Sequence, residues 1–266
     1  MKFGVSALIC TNLSLVLASL ANGQHRAEEG DGDWDVMIGV GAIVEPISPG
    51  LDETETDPMP FLDITYKDRF FVNRHGIGGY LFRGPQDEHG EGFSLGLALG
   101  RADGRDEKDY AAHLKGMGDI DEGFEANFFM EGELGPAEYT WTVSKGLKSE
   151  GHDGLHSELG FSFGGALTDN FLLEYGPFIH YADSNYMQSF YGVTANQAAL
   201  SKFSEYKPSS GIDLAGFKVI AKTRLTGNWM LMGMVEYNSL LGDAKDSPIV
   251  EDDSFVSYGL GVGFQF

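Results

Sequence analysis

The last eleven residues, 256–266, alternate between apolar and small or polar side chains. Every even position from Val256 to Phe266 is apolar, and every odd position is Gly, Ser or Gln. Because successive side chains of a strand point to opposite faces, one face is bulky and the other almost bare. A soluble sandwich would carry charge on its second face. In a transmembrane β-barrel the bulky face would contact lipid and the bare face would line a crowded lumen. The alternation therefore predicts a strand of such a barrel.

Most of the remaining chain repeats this period of two. Alternating runs occupy residues 91–101, 123–131, 139–143, 155–163, 171–181 and 229–237. Their parity predicts that Phe161 and Leu231 face lipid, whereas Glu158 and Met232 face the lumen. Tight connections at 135–136, 167–169 and 227–228 alternate with long ones near 102–120, 182–210 and 242–254. Short periplasmic turns and long external loops produce this rhythm in outer-membrane barrels.

The strand count follows from the position of the chain ends. Eight strands can be placed from Phe93 to the C-terminus and one over residues 34–44. If both ends are periplasmic, residues 60–82 hold an odd number of strands, which we take as three, divided at 67–68 and 75–76. The sequence therefore predicts an all-β, antiparallel up-and-down barrel of about 12 strands over residues 34–266. The terminal aromatic strand also resembles the signal read by the barrel-insertion machinery.

The N-terminal residues have the composition of a secretory signal peptide. Lys2 supplies a positive charge, and residues 5–20 form a mostly apolar stretch. We expect removal of residues 1–23, which leaves 24–33 as a short periplasmic segment before the barrel. The single cysteine, Cys10, lies inside the signal, so disulfides play no part in the mature chain.

The charge balance restricts the partners of the chain. There are 40 acidic and 18 basic residues, and the formal net charge of -22 argues against binding nucleic acid. No stretch after the signal approaches the ~20 apolar residues of a membrane helix, so strands remain as the way to cross a bilayer. We therefore expect a location in the cell outer membrane, with its lipid and lipopolysaccharide as neighbours.

The longest connection, 182–210, carries a helix signal. Thr194 and Gln197 have the spacing of a capping box ahead of Ala198, Ala199 and Leu200. We expect a short helix in this extracellular loop.

Three connections resemble the MipA/OmpV family of outer-membrane proteins. The residues that carry the resemblance are Tyr186, Met187, 190–194, 197–199, Ser201 and Tyr206, then 114–121 after Gly100 and Arg101, and 241–250. The resemblance implies a non-enzymatic outer-membrane barrel. The family's namesake is a scaffold that links a lytic transglycosylase to a bifunctional penicillin-binding protein, so the resemblance implies these two classes of partner.

Two histidines are the first candidates for chemistry. By strand parity His156 and His180 both point into the lumen, and a three-residue connection centred on Thr168 would place them opposite each other. Two imidazoles at that spacing can hold a metal, but the sequence identifies no third or fourth ligand. We therefore expect the pair to be structural and assign no metal-binding residue and no cofactor.

Charged side chains also fall on the luminal face. The set comprises Glu125, Glu131, Glu158, Glu174 and Glu236 with Lys218, Lys222 and Arg224. These groups can pair across the barrel or line a narrow cation-preferring path. Carboxylates also serve hydrolases, but no nucleophile motif accompanies them, so we assign no catalytic residue.

The external loops are acidic. Carboxylates cluster within 52–57, 103–109 and 243–253 without the ordered spacing of a calcium loop, which favours a solvated acidic rim over weak divalent binding. The sequence leaves three functions open. A structural or scaffolding barrel is favoured by the resemblance, a porin-like small-solute channel is the alternative, and an outer-membrane hydrolase is the third.

Overall fold

The computed structural model describes residues 33–84, 92–147 and 151–266. The expected signal peptide at 1–23 and residues 24–32 of the N-terminal segment lie outside the described residues. Within them, twelve antiparallel strands close into one barrel, in which each strand pairs with its sequence neighbours and the first pairs with the last. The strands are β1 (Trp34–Pro46), β2 (Thr54–Tyr66), β3 (Phe70–Asn73), β4 (Gly76–Arg83), β5 (Phe93–Ala102), β6 (Gly123–Leu134), β7 (Ala137–Gly146), β8 (Leu155–Thr168), β9 (Phe171–Ala182), β10 (Gly211–Arg224), β11 (Trp229–Leu240) and β12 (Ser254–Gln265). The predicted fold class and strand number are confirmed.

The connections separate the barrel into a turn end and a loop end. The turn end holds β1's start, the C-terminus and the connections 67–69, 135–136, 169–170 and 225–228. The loop end holds 47–53, 103–122, 183–210 and 241–253, together with the connection between β7 and β8, of which residues 147 and 151–154 are described. Short helices occur there: α1 (Ala111–Leu114), α2 (Ser184–Phe190), α3 (Ala195–Leu200) and α4 (Gly242–Lys245). None of the described helices is long and apolar enough to cross a membrane.

The expected helix is α3, and its cap is the predicted one. The Thr194 hydroxyl accepts from the backbone N of Gln197 at 3.3 Å, and the Gln197 side chain accepts from the backbone N of Thr194 at 2.8 Å. These reciprocal bonds satisfy two donors that a helix N-terminus leaves open. The preceding helix, α2, was not expected. It begins after Asp183, whose carboxylate accepts from the backbone N of Tyr186 at 2.8 Å.

The strands carry an exposed apolar face on the outside of the barrel. On β11, Trp229 and Val235 are 46% and 52% exposed, whereas Met232 is 1% exposed. Leu231 shares the outward parity of Trp229 and Val235, and Glu158 lines cavities inside the barrel. The predicted orientation is therefore confirmed for Leu231, Met232 and Glu158, and Phe161 shares the parity of Phe163, which is 37% exposed.

Strand β2 starts earlier than predicted. It begins at Thr54 rather than near residue 60 and includes Pro58 and Pro60. In the described chain, β2 pairs with β3 only over residues 64–66, so residues 54–63 form an edge on that side. Because proline has no N–H to donate, it is tolerated on such an edge. Glu55 and Asp57 accordingly lie on a strand and not in the acidic loop where the sequence placed them.

The β8–β9 hairpin has a different register from the predicted one. Its turn consists of residues 169–170, and a bulge lies between Ala166 and Thr168. The ladder therefore pairs Glu158 with His180, and His156 with Ala182. The prediction that His156 and His180 lie directly opposite each other is wrong because the chain turns at residues 169–170 and not at 167–169. The later turn moves the pairing by three residues, and the bulge moves it back by one, so that His180 pairs with Glu158.

Candidate functional site

One side of the lumen is filled by apolar side chains. They project from β1, β2, β9, β10 and β11, and each is at most 7% exposed. We call them the methionine cluster: Met37, Ile43, Met59, Phe61, Leu172, Ile220, Met230, Met232 and Met234. The channel of a porin is polar and filled with water. This side of the lumen is instead packed as a protein core.

The bare face of β12 is covered by Phe61. A Cβ on Gly39 would stand 1.7 Å from Cζ of Phe61, and one on Gly263 would stand 3.0 Å from its Cε2. The Phe61 ring thus lies across the seam between β1 and β12. The glycines of the terminal alternation leave space that this ring occupies.

Four connections at the loop end pack on one another over the lumen. We call them the loop cap: residues 47–53, 103–122, 183–210 and 241–253. Their shared apolar core comprises Ile47, Leu51, Leu114, Met117, Val193, Phe203 and Ile249. The side chain of Gln197 donates to the backbone O of Met117 at 2.7 Å, and the Ser247 hydroxyl donates to the backbone O of Tyr191 at 2.6 Å. The loops therefore form one packed unit above the lumen.

Part of the acidic rim holds the loop cap together. Asp119 accepts from the backbone N of Glu107 at 2.7 Å, and Glu107 in turn accepts from the backbone N of Gly118 at 2.7 Å. Asp243 accepts from the backbone N of Ser209 at 2.7 Å. These carboxylates satisfy loop N–H groups that would otherwise need water. The absence of a cation site in the acidic loops stays a prediction.

The other side of the lumen is polar and begins at the β3–β4 turn. Glu131 accepts from the Arg74 guanidinium, and its Oε1 lies 3.1 Å from Nε2 of His75. The His75 ring stacks on Phe129 with centroids 4.0 Å apart and planes 2° apart. This ion cluster pairs a luminal carboxylate with a cation, as buried charge requires.

A chain of four titratable groups runs along the polar side toward the loop cap. Asp213 Oδ1 lies 2.7 Å from His180 Nδ1, and His180 Nε2 lies 3.1 Å from His156 Nδ1. His156 Nε2 lies 3.1 Å from Glu125 Oε2. His156 and His180 therefore meet in the lumen as expected, although their pairing register differs from the predicted one. Both ring nitrogens of each histidine have a partner.

A third histidine joins this chain at its loop-cap end. His152, in the connection before β8, is 4% exposed, and its ring centroid lies 6.0 Å from that of His156. Burial and, secondarily, His156 lower the pKa of His152 to about 4, so this imidazole is neutral at physiological pH. Its Nδ1 accepts a long bond of 3.2 Å from the backbone N of Gly154.

Helix α2 covers these histidines from above. The Tyr186 ring centroid lies 4.8 Å from that of His156 and 5.1 Å from that of His152, and Phe190 lies 5.5 Å from His152. Below the rings is a cavity of about 60 Å³, lined by residues that include Glu125, His152 and His156. A cavity of this size has room for several waters.

The remaining predicted luminal charges are distributed along the barrel. Lys218 Nζ lies 3.2 Å from Glu236, and Lys222 is 1% exposed on the same strand. Glu158 and Glu174 line luminal cavities. Arg224 lies exposed at the turn end of β10. Of the predicted set, the structure brings Glu125 into contact with His156 and places Glu158 on the cavity that the histidines line. The others lie farther along the barrel.

The sequence missed His152, Tyr186 and the Arg74–His75 pair. His152 and Tyr186 lie in connections, where strand parity gives no orientation. Arg74 and His75 form a turn whose position was predicted but whose insertion into the lumen was not. The Asp183 N-cap ahead of Tyr186 and Phe190, four residues apart, is the signal that could have revealed α2.

A family comparison agrees with this architecture. Residues 38–266 match the family model described as MltA-interacting protein MipA. The chain belongs to this family. The resemblance of the loop segments is thereby confirmed, and family membership together with a closed barrel and its apolar outer face locates the protein in the outer membrane.

Comparison with solved structures finds other outer-membrane proteins. A bacterial polysaccharide outer membrane secretin is 10% identical with a TM-score of 0.40, covering 87% of this chain and 98% of its own. Outer membrane protein H (OprH) of P. aeruginosa is 12% identical with a TM-score of 0.32, covering 87% and 99%. The NanC porin is 9% identical with a TM-score of 0.37, covering 88% and 100%. No curated protein sequence matches the chain.

Proposed function

We propose that this MipA-family barrel is a non-conducting, non-enzymatic scaffold for murein enzymes. The observation that carries the proposal is the apolar packing of the barrel, in which the methionine cluster fills one side of the lumen and the loop cap packs over its mouth. If such a barrel conducts no solute, its surfaces are the functional element, and among the described contacts of His156 and His180 there is no hydroxyl nucleophile. The family description names an interaction with MltA, which supports a lytic transglycosylase as partner. A bifunctional penicillin-binding protein is the second proposed partner.

A small-solute channel is the second candidate. The polar side of the lumen, with its ion clusters and its cavity of about 60 Å³, favours it. A hydrolase has less support, because the described contacts of His156 and His180 go to each other and to carboxylates, not to a serine or threonine hydroxyl.

The proposed topology places the loop cap outside the cell and the turn end in the periplasm. Murein enzymes would then contact the short turns, the N-terminal segment or the lower wall. Stable interfaces occupy about 800 Å² on each partner, so the contact must extend over several turns.

An epitope tag between Ser204 and Glu205 is expected to be detected by antibody on intact cells. Both residues are exposed on the surface of the loop cap, between Phe203 and Tyr206 of its apolar core. The matched control is the same tag after Gly227, in the turn 225–228, which should be detected only after the outer membrane is permeabilised. The reverse pattern would invert the topology and place the loop cap among the murein enzymes.

Pull-down from detergent-solubilised envelopes tests the scaffold directly. We expect the tagged barrel to enrich a lytic transglycosylase and a bifunctional penicillin-binding protein over an unrelated outer-membrane barrel of similar abundance. In planar bilayers the purified protein should give no single-channel steps. Regular conductance steps without enzyme enrichment would favour the channel.

A further inference from the structure

Three donor groups converge at the loop end of the polar lumen. Glu125 on β6, His152 before β8 and His156 on β8 each place one ligand atom within 4.8 Å of the other two. His156 Nε2 is already 3.1 Å from Glu125 Oε2. Ligand atoms around tetrahedral zinc are about 3.3 Å apart, because each lies about 2.0–2.1 Å from the ion. Side-chain movements of roughly 1 Å therefore complete the set.

The groups behind His156 form the support that a metal-binding histidine needs. Its second nitrogen contacts His180, and His180 contacts Asp213, at 3.1 and 2.7 Å. The side chains of His180 and Asp213 are 5% and 2% exposed, so packing fixes this chain. A carboxylate–histidine chain of this kind orients the ligand ring and raises its basicity.

We propose that Glu125, His152 and His156 bind one transition-metal ion of the zinc class. Two imidazoles and one carboxylate suit Zn²⁺, Co²⁺ or Ni²⁺, whereas Ca²⁺ and Mg²⁺ prefer oxygen ligands throughout. Three protein ligands leave a position for water, and the cavity of about 60 Å³ that all three residues line has room for it.

This proposal revises the expectation drawn from the sequence. That expectation rested on the lack of a third ligand beside His156 and His180. The fold supplies Glu125 from a neighbouring hairpin and His152 from a connection. His180 then supports His156 and does not itself contact the ion. The site does not depend on the scaffold role.

Metal titration of the full mature chain, folded in detergent and stripped with a chelator, tests the site. We expect one Zn²⁺ per chain by isothermal titration calorimetry, and with Co²⁺ a visible absorption spectrum of tetrahedral intensity. Glu125→Gln and His152→Gln should each weaken Zn²⁺ binding at least tenfold. The matched control is His113→Gln, which removes a buried histidine of the loop cap that pairs with Glu251 and should leave binding unchanged. Heat-modifiable mobility on gels checks that each variant is folded.

Two results would overturn the proposal. One is the lack of one-to-one binding by the wild-type chain. The other is equal binding by the wild type and both site variants, which would assign the ions to the acidic rim. If His152→Gln does not fold, Glu125→Gln decides alone, since it keeps the size of the side chain while it replaces the charged carboxylate by a neutral amide. Failure to capture murein enzymes would not affect either result.

Discussion

Removal of Phe266 is expected to reduce the amount of folded protein in the outer membrane far more than its contacts suggest. Its side chain is 73% exposed on the barrel exterior, and its backbone N donates to the backbone O of Val36 at 2.9 Å. Full burial of one Phe contributes only ~1.5–3 kcal/mol, so its packing alone would be dispensable in a finished barrel.

The large effect is expected during assembly. Strand β12 must pair with β1 to close the barrel, in a register that joins Val40 to Val262 and Val44 to Tyr258. Each backbone group left unpaired in the bilayer costs several kcal/mol. If the aromatic end is also the insertion signal, the shortened chain should accumulate in the periplasm and be degraded.

Quantitative gels of outer-membrane fractions measure this effect. The heat-modifiable band should nearly disappear for the deletion, whereas the conservative Phe266→Tyr change should retain most of it. A normal yield from the deletion would show that neither closure nor insertion depends on the terminal aromatic.

The strands could be predicted because lipid contact on one face keeps every second side chain apolar. Residues 256–266 and 229–237 needed no tertiary information, since lipid selects apolar groups on every second position. The start of β2 could not be found in this way. Pro58 and Pro60 by themselves would indicate the end of a strand. The strand tolerates them because β3 does not extend along residues 54–63 of β2 and therefore needs no N–H from them.

The proposed metal site was harder to predict because its residues lie on two strands and one connection, and the alternation of side chains does not show that these lie close together. His156 and His180 were placed in the lumen correctly, but the position of the turn at 169–170 and the bulge between Ala166 and Thr168 together decide which residues they oppose. His152 lies in a connection, and its approach to Glu125 depends on how that connection folds against β6. Tertiary packing decides which residues from distant parts of the chain meet. A period of two shows only which face of a strand a residue lies on.

The glycines on the luminal face of β12 and β1 leave room for the Phe61 ring, which the sequence alone did not indicate. Gly→Ala at position 39 is expected to destabilise the folded barrel by about 1–3 kcal/mol, the usual effect of overpacking a core. The added Cβ would stand 1.7 Å from Cζ and 2.1 Å from Cε2 of Phe61, so the ring must move. The matched control is Gly160→Ala, because a Cβ there meets Phe178 Cβ at 3.6 Å, an ordinary contact.

A double-mutant cycle between Gly39 and Phe61 isolates this contact. Phe61→Ala alone should cost about 3–5 kcal/mol, because it leaves a cavity in the methionine cluster. In the double variant the Cβ of residue 39 has room and fills part of that cavity, so the combined loss should be smaller than the sum by about 0.5–3 kcal/mol. Urea unfolding of the refolded protein in lipid vesicles measures all four free energies. Strict additivity, or equal losses for Gly39→Ala and Gly160→Ala, would mean that the ring does not lie on the seam. A loss in the double variant smaller than the sum would show that the glycines of the alternation make room for the Phe61 ring. A packed lumen requires such room, whereas a water-filled pore does not.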